Sequence, residues 1–315
     1  MKVLVTGGRG YVGGRLCRFL AGIPGYHIFV GSRSWSTPSA FDSHETHVTT
    51  DWASSESLLA CCEGMDAVVH LAAMNAAESW RDPVSALDMN GVGTARLMQA
   101  AIRAGVRRFV YVSTAHVYGT PLAGTITEET CPHPIHPYAT SHRAAEDVVR
   151  AATAQGFVEG TVLRLSNAFG APAKLETDCW GLLLNDLCRQ AVVSGALVLR
   201  SSGKQRRDFI SMTDACRAIR HCLQLPATSI RDHVFNLGGQ WSPTIVEAAT
   251  FVADRFESRG HVRPEITSLP AVSEEKSEPL DYRIDLLKST GFVPENDSTM
   301  ELDGLITFCE SAFGA

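Results

Sequence analysis

The sequence has no acidic residue before Asp42, no C-x-x-C pair among its nine cysteines, and no run of like charges, repeat or low-complexity tract. Nor does any apolar run approach the ~18 residues of a membrane span. Each absence excludes something. Without paired cysteines a zinc site has no obvious ligands, and no metal is expected. An odd, scattered set of cysteines instead suits reduced core thiols in a cytosol. The opening apolar run, Lys2–Thr6, passes into glycines at once. That is shorter than the ~7–15-residue apolar stretch of a signal peptide. The expectation is a soluble, cytoplasmic protein. The net charge of −6 gives no electrostatic reason to bind nucleic acid or an anionic membrane.

What is present is an alternating chain. Of the 315 residues, 45% are apolar, enough for a large core. Strands are expected at 2–6, 27–31, 46–50, 66–72, 108–113 and 160–166, each rich in β-branched residues. Helical stretches lie between them, notably Pro83 to Ala104 and Tyr138 to Gln155. Continuous apolar strands alternating with helices predict an α/β fold, a doubly wound parallel sheet of the Rossmann type covered on both faces. After Asn167 the pattern loosens into short strands with frequent proline and glycine. A dinucleotide-binding domain over 1–166 is therefore expected, with returns of the chain at about 207–239. A smaller C-terminal substrate lobe would comprise 167–206 and 240–315.

Directly after the first strand comes "TGGRGYVGG", with Gly7, Gly10 and Gly13 spaced G-x-x-G-x-x-G. A tight turn and a close backbone approach to pyrophosphate both require glycine there. The helix that follows offers N–H groups and a favourable dipole to the anion. An NAD site usually adds an acid about 20 residues on, which holds the ribose 2′-hydroxyl. Here the second strand ends in "VGSRS", with Arg33 just past it and Arg9 inside the loop. Two cations without an acid lean the reading toward NADP over NAD.

These residues resemble the extended short-chain dehydrogenase/reductase family, of the nucleotide-sugar epimerase, dehydratase and reductase type, over nearly the whole chain. The glycine motif is Thr6 to Gly13 and includes Tyr11 and Val12. Asp51 and Trp52 look like the adenine-contacting pair after the third strand. "HLAA" holds Leu71, Ala72 and Ala73 against the cofactor. Asn90 matches the helix asparagine that organises the site. "STAHVYG" supplies Ser113 and Thr114 as hydroxyl donors. In "LRLSNAFG" and "RRDFISMTDACRAI", Asn167 and Arg207 match residues near a sugar diphosphate. The resemblance implies a nucleotide-diphosphate sugar as substrate. It also implies a homodimer formed through helices at about 84–104 and 138–155.

The family's Tyr-x-x-x-Lys is "YATSH", so Tyr138 is kept and His142 stands where the lysine would be. Oxidising a carbinol needs a base for its proton, and free tyrosine has a pKa of ~10. A lysine lowers that value through its charge and also holds the nicotinamide ribose. His142, one helical turn from Tyr138, can still bond ribose hydroxyls but carries charge only when protonated. Ala115 and His116 replace the Asp-Glu of 4,6-dehydratases, which argues against that reaction. The expected activity is oxidoreduction or epimerisation at a sugar carbinol, C4 favoured. A net ketoreductase or dehydrogenase, and a non-catalytic dinucleotide-binding sensor or scaffold, are the alternatives.

Overall fold

The computed structural model describes residues 1–33, 45–226, 234–270, 278–295 and 297–314. In chain order the strands are β1 (Lys2–Thr6), β2 (His27–Ser32), β3 (Glu45–Thr49), β4 (Ala67–His70), β5 (Arg108–Thr114), β6 (Gly124–Ile126), β7 (Glu159–Leu165), β8 (Asn167–Phe169), β9 (Ala196–Val198), β10 (Phe209–Ser211), β11 (Val234–Leu237), β12 (Glu265–Thr267) and β13 (Leu280–Tyr282). The helices are α1 (Tyr11–Ala21), α2 (Ser55–Cys62), α3 (Ala76–Arg81), α4 (Pro83–Ala86), α5 (Gly93–Arg103), α6 (Pro137–Ala154), α7 (Leu183–Ser194), α8 (Met212–Gln224), α9 (Ile245–Ser258), α10 (Asp285–Ser289) and α11 (Ser298–Phe313).

The chain divides into two units. The first comprises 1–120, 131–165 and 216–235; the second comprises 121–130, 166–215 and 236–315. A seven-stranded sheet runs in the order β11-β7-β5-β4-β1-β2-β3. The pairs β1–β2, β2–β3, β1–β4, β4–β5 and β5–β7 are all parallel. Val3, Leu4 and Val5 of β1 and Ala67, Val68 and Val69 of β4 have no exposed surface. Both faces of these strands are covered, which is why their sequences run apolar without alternating. The chain builds outward from β1 to β3, then crosses back to place β4 on the other side of β1. That reversal opens a crevice beyond the carboxyl ends of β1 and β4.

Two expectations are corrected. The helix expected from Pro83 to Ala104 is broken: a π-helical turn over Leu87–Val92 separates α4 from α5. Asn90 sits in that turn, and the Thr94 hydroxyl donates to its carbonyl at 2.5 Å. Such turns insert one residue and re-aim side chains, often at functional sites. The segment 207–212 does not return to the first unit's sheet, because β10 pairs instead with β8. The strand that does join the main sheet is β11, beside β7.

The second unit has its own core, around Phe169, Leu187, Leu197, Phe209, Val252 and Leu305. Helices α7, α9 and α11 pack together over it. Its strands form three parallel pairs, β8–β10, β9–β12 and β6–β13. Eight of the nine cysteines are buried thiols, and Cys131 is exposed.

Candidate active site

The glycine loop is built so tightly that side chains do not fit. Gly7 has φ +69°, and a Cβ there would lie 2.7 Å from the Ala72 backbone nitrogen. A Cβ on Gly13 would lie 2.2 Å from the Gly7 carbonyl oxygen. Helix α1 starts at Gly10 with no side-chain cap and no acid in its first turn. Its N-terminal N–H groups therefore face outward with the positive end of the helix dipole. Beside the loop is a cavity of about 600 Å³ lined by Gly7, Arg9, Gly31, Ser32, Arg33, Thr50, Trp52, Ala72, Ala73, Met74, Glu78, Arg81, Asp82 and Met89. Its size and its anion-receptive loop fit a dinucleotide.

The structure brings together Gly7, Arg33, Trp52, Ala72 and Ala73 of the expected cofactor residues at this cavity. Asp51 stands between the cavity-lining Thr50 and Trp52, and its exposed carboxylate accepts the Ala53 N–H at 2.9 Å. Gly10, Tyr11, Val12 and Gly13 form the turn and first helical residues behind the loop. Leu71 contributes backbone, its N–H donating to the Thr6 carbonyl at 3.2 Å. Sequence reasoning missed Thr50, Met74 and the polar group Glu78, Arg81 and Asp82. Those three polar residues lie on or next to α3, whose position beside the crevice depends on the β1–β4 crossover.

Two buried polar residues hold the crevice floor. His70 is fully buried between the hydroxyls of Thr6 (2.6 Å) and Thr94 (2.9 Å). Burial pushes its pKa down to about 3, so it is neutral. Asn90 accepts the Met74 N–H at 2.7 Å and donates to the Ser141 hydroxyl at 2.9 Å. It ties the loop after β4 to α6, the helix that carries Tyr138.

Tyr138 begins α6 and is half-buried, though its phenol is ringed by protein. His136 caps the helix, its Nδ1 accepting the Tyr138 N–H at 3.1 Å. Burial raises the Tyr138 pKa, and the hydrogen bond with the Thr114 hydroxyl pulls the other way. The Tyr138 and His142 rings meet edge to face with centroids 4.4 Å apart. His142 is 3% exposed. Its Nδ1 is hydrogen-bonded to the Tyr111 hydroxyl at 2.6 Å, while its Nε2 is buried without a partner. Desolvation, offset in part by Glu146, pulls its pKa down to about 4. An imidazole in that state is neutral at pH 7.

Ser113 is committed elsewhere: its hydroxyl donates to Glu146 Oε1 at 2.6 Å. Glu146 is fully buried and pairs with Arg164 Nη2 at 2.7 Å and Arg143 Nη1 at 3.0 Å. Arg164 also donates to the Tyr118 hydroxyl at 2.7 Å and lies over that ring. This cluster clamps α6 to β5 and β7. Ser113 and Arg164 belong to sequence motifs, but their joint partner Glu146 belongs to none.

In the second unit, Asn167 Nδ2 donates to the Asp208 carbonyl at 2.9 Å. Arg207 is exposed, and among the described residues its guanidinium has no hydrogen-bond or ion-pair partner. Neighbouring Asp208 is not its counter-ion. That carboxyl is buried, accepts the Gly239 N–H at 3.1 Å, and is raised by burial to about 7. Among the described residues no three His, Cys, Asp or Glu side chains gather to hold a metal. No helix among them is long and apolar enough to cross a membrane.

The family model described as the NAD dependent epimerase/dehydratase family matches residues 3–238. The zebrafish (Danio rerio) UDP-glucuronic acid decarboxylase 1 is 28% identical over 269 residues, covering 83% of this chain and 62% of that protein. Among solved structures, RMD from Pseudomonas aeruginosa complexed with NADPH matches with a TM-score of 0.78 and 25% identity over 98% of this chain and 99% of that one. MoeE5 in complex with UDP-glucose and NAD matches with a TM-score of 0.78 and 25% identity over all of both chains.

Proposed function

Because the chain belongs to the NAD dependent epimerase/dehydratase family, we propose that it oxidises or epimerises a nucleotide sugar at a ring carbinol, C4 favoured, with Tyr138 as general base. The observation that carries this reading is the Thr114 hydroxyl, at the end of β5, lowering the pKa of the Tyr138 phenol on the helix that Asn90 ties to the cavity-lining Met74. A bound dinucleotide would supply the hydride chemistry. The Gly7–Gly13 loop would hold its pyrophosphate, and His142 Nε2 would meet a ribose hydroxyl.

Tyr138 would take the proton of the carbinol hydroxyl, and Thr114 would bond the same substrate oxygen. Ser113, held by Glu146, serves the scaffold in this reading. As an epimerase the chain would invert the configuration of that carbon. A net dehydrogenase or ketoreductase releases the changed redox state. Asn167 and Arg207, whose guanidinium has no partner among the described residues, suit the sugar diphosphate, since a guanidinium matches phosphate oxygens bidentately. Three arginines, Arg9, Arg33 and Arg81, line the cavity, and Ser32 ends β2 where an NAD-selecting acid would stand. That favours a 2′-phosphate and hence NADP. A homodimer through α5 and α6 completes the proposal; Val84, Leu87 and Val92 are exposed apolar residues just before α5.

The neutral state of His142 favours one second reading, a dinucleotide-binding sensor without turnover. The test separates them. The protein is denatured, the released nucleotide identified, and the refolded or native enzyme incubated with UDP-, GDP- and dTDP-sugars. Absorbance at 340 nm and product configuration are followed. Turnover that falls by a factor of 10² or more in Tyr138→Phe supports catalysis, a loss of the size general-base removal gives. Bound nucleotide with no change in any sugar would leave the sensor reading.

A further inference from the structure

Tyr111, on β5, is 2% exposed, and its hydroxyl lies 2.6 Å from His142 Nδ1. The two rings stack with centroids 5.8 Å apart. Among the described residues this is the only partner of that hydroxyl, and His142 Nε2 has none. A neutral imidazole carries its proton on one nitrogen and accepts at the other. Two arrangements are possible. If the phenol donates to Nδ1, the ring proton is on Nε2, and the Nε2–H is the single buried donor left over. If Nδ1–H donates to the phenol oxygen, both the phenol O–H and a bare Nε2 are left without partners. The first strands one group and the second strands two. One stranded buried polar group biases such an equilibrium roughly ten- to hundred-fold. A phenol is also a stronger acid than a neutral imidazole N–H, and so the better donor. Burial keeps the Tyr111 phenol protonated and able to donate.

We propose that Tyr111 is a positioning residue that holds His142 as its Nε2–H tautomer, so that His142 presents a hydrogen-bond donor where the family has lysine. Lysine offers donors only, and the Tyr111-fixed imidazole keeps that donor character while giving up the charge. The purpose of the arrangement rests on the function proposed above; the tautomer itself does not. The titratable groups facing His142 are Tyr111 from β5, Tyr138 and Glu146 from α6, His70 from β4, and His116 from the short turn after β5. None is hydrogen-bonded to Nε2.

The test uses the full chain labelled with ¹⁵N-histidine, without added ligand, at pH 7. Long-range ¹H–¹⁵N correlations report which ring nitrogen is protonated, and loss of one spin system in His142→Gln assigns His142. The expected pattern has an unprotonated Nδ1 and a protonated Nε2. Tyr111→Phe should shift both nitrogens toward averaged values. An Nδ1–H pattern in the wild type, or an unchanged pattern in folded Tyr111→Phe, would overturn the proposal. If Tyr111→Phe loses its fold, the wild-type pattern alone decides. If Tyr138→Phe keeps full turnover while the Nε2–H pattern is found, the catalytic reading fails and the tautomer assignment stands.

Discussion

Replacing His142 by lysine should move the alkaline activity limb to lower pH. The native imidazole is neutral at pH 7, with a pKa near 4. It therefore gives Tyr138 no positive neighbour, and burial holds the phenol above its ordinary pKa. The His142 ring centroid is 4.4 Å from that of Tyr138. An ammonium roughly 5 Å from the phenol oxygen, at an effective dielectric of about 20, stabilises the phenolate by about 3 kcal/mol. At ~1.4 kcal/mol per unit that is a pKa lower by about two units. Below the phenol pKa the phenolate fraction rises tenfold per unit, so turnover limited by this base should rise roughly 100-fold at neutral pH. Burial disfavours the new ammonium, but the Glu146 carboxylate one turn along α6 supports it. The assay is kcat/KM against pH from about 6 to 11 for both proteins. Circular dichroism and nucleotide content would confirm that His142→Lys is folded and loaded. A limb at the same pH in such a variant would refute the idea that position 142 acts electrostatically on Tyr138.

Other outcomes follow from the same packing. Gly13→Ala puts a Cβ 2.2 Å from the Gly7 carbonyl, so the loop must distort; dinucleotide affinity by equilibrium titration should fall at least tenfold, and unchanged binding would count against this loop as the pyrophosphate site. Arg164→Met strands the fully buried Glu146 with only the half-exposed Arg143 as counter-ion, which should cost about 3–5 kcal/mol in chemical denaturation. His142 has a folded pKa near 4, below its unfolded value of ~6.5. Its contribution is therefore fully present above pH 6.5 and is lost as pH falls toward 4, to about 3 kcal/mol. His142→Gln should flatten that part of the urea-midpoint profile, and an equally steep profile would refute the assignment.

The sheet and glycine loop were legible because they are local. Apolar runs such as "KVLVT" mark buried parallel strands, and G-x-x-G-x-x-G after the first of them marks the turn into α1. The π-helical turn at Leu87–Val92 was not legible, since ordinary helical periodicity runs through it. It exists because Asn90 is held by both Met74 and Ser141, two partners brought near by the fold. The placement of 207–212 failed for the same reason: which strand β10 pairs with is a tertiary fact. Glu146 and Tyr111, and the pairing of Arg164 with Glu146, were invisible for a different reason. These contacts join residues far apart in the chain, and no local pattern in the sequence announces which partner each side chain meets.

The missing lysine charge has no substitute among the described residues. Arg143 and Arg164 are both committed to Glu146, and no cation is among the groups that shift the Tyr138 pKa. His116 is hydrogen-bonded to Thr120. The one group lowering the Tyr138 pKa is the neutral Thr114 hydroxyl. If the Tyr111-fixed donor holds a ribose hydroxyl, as proposed, nucleotide binding does not depend on a charge at position 142, while the base strength of Tyr138 does. The wild-type enzyme should therefore load its dinucleotide at neutral pH yet gain turnover only as pH rises toward the tyrosine range. Measured together, nucleotide occupancy should be flat between pH 7 and 9 while kcat climbs about tenfold per unit. A kcat already on its plateau at pH 7 would refute Tyr138 as a base whose pKa burial holds up.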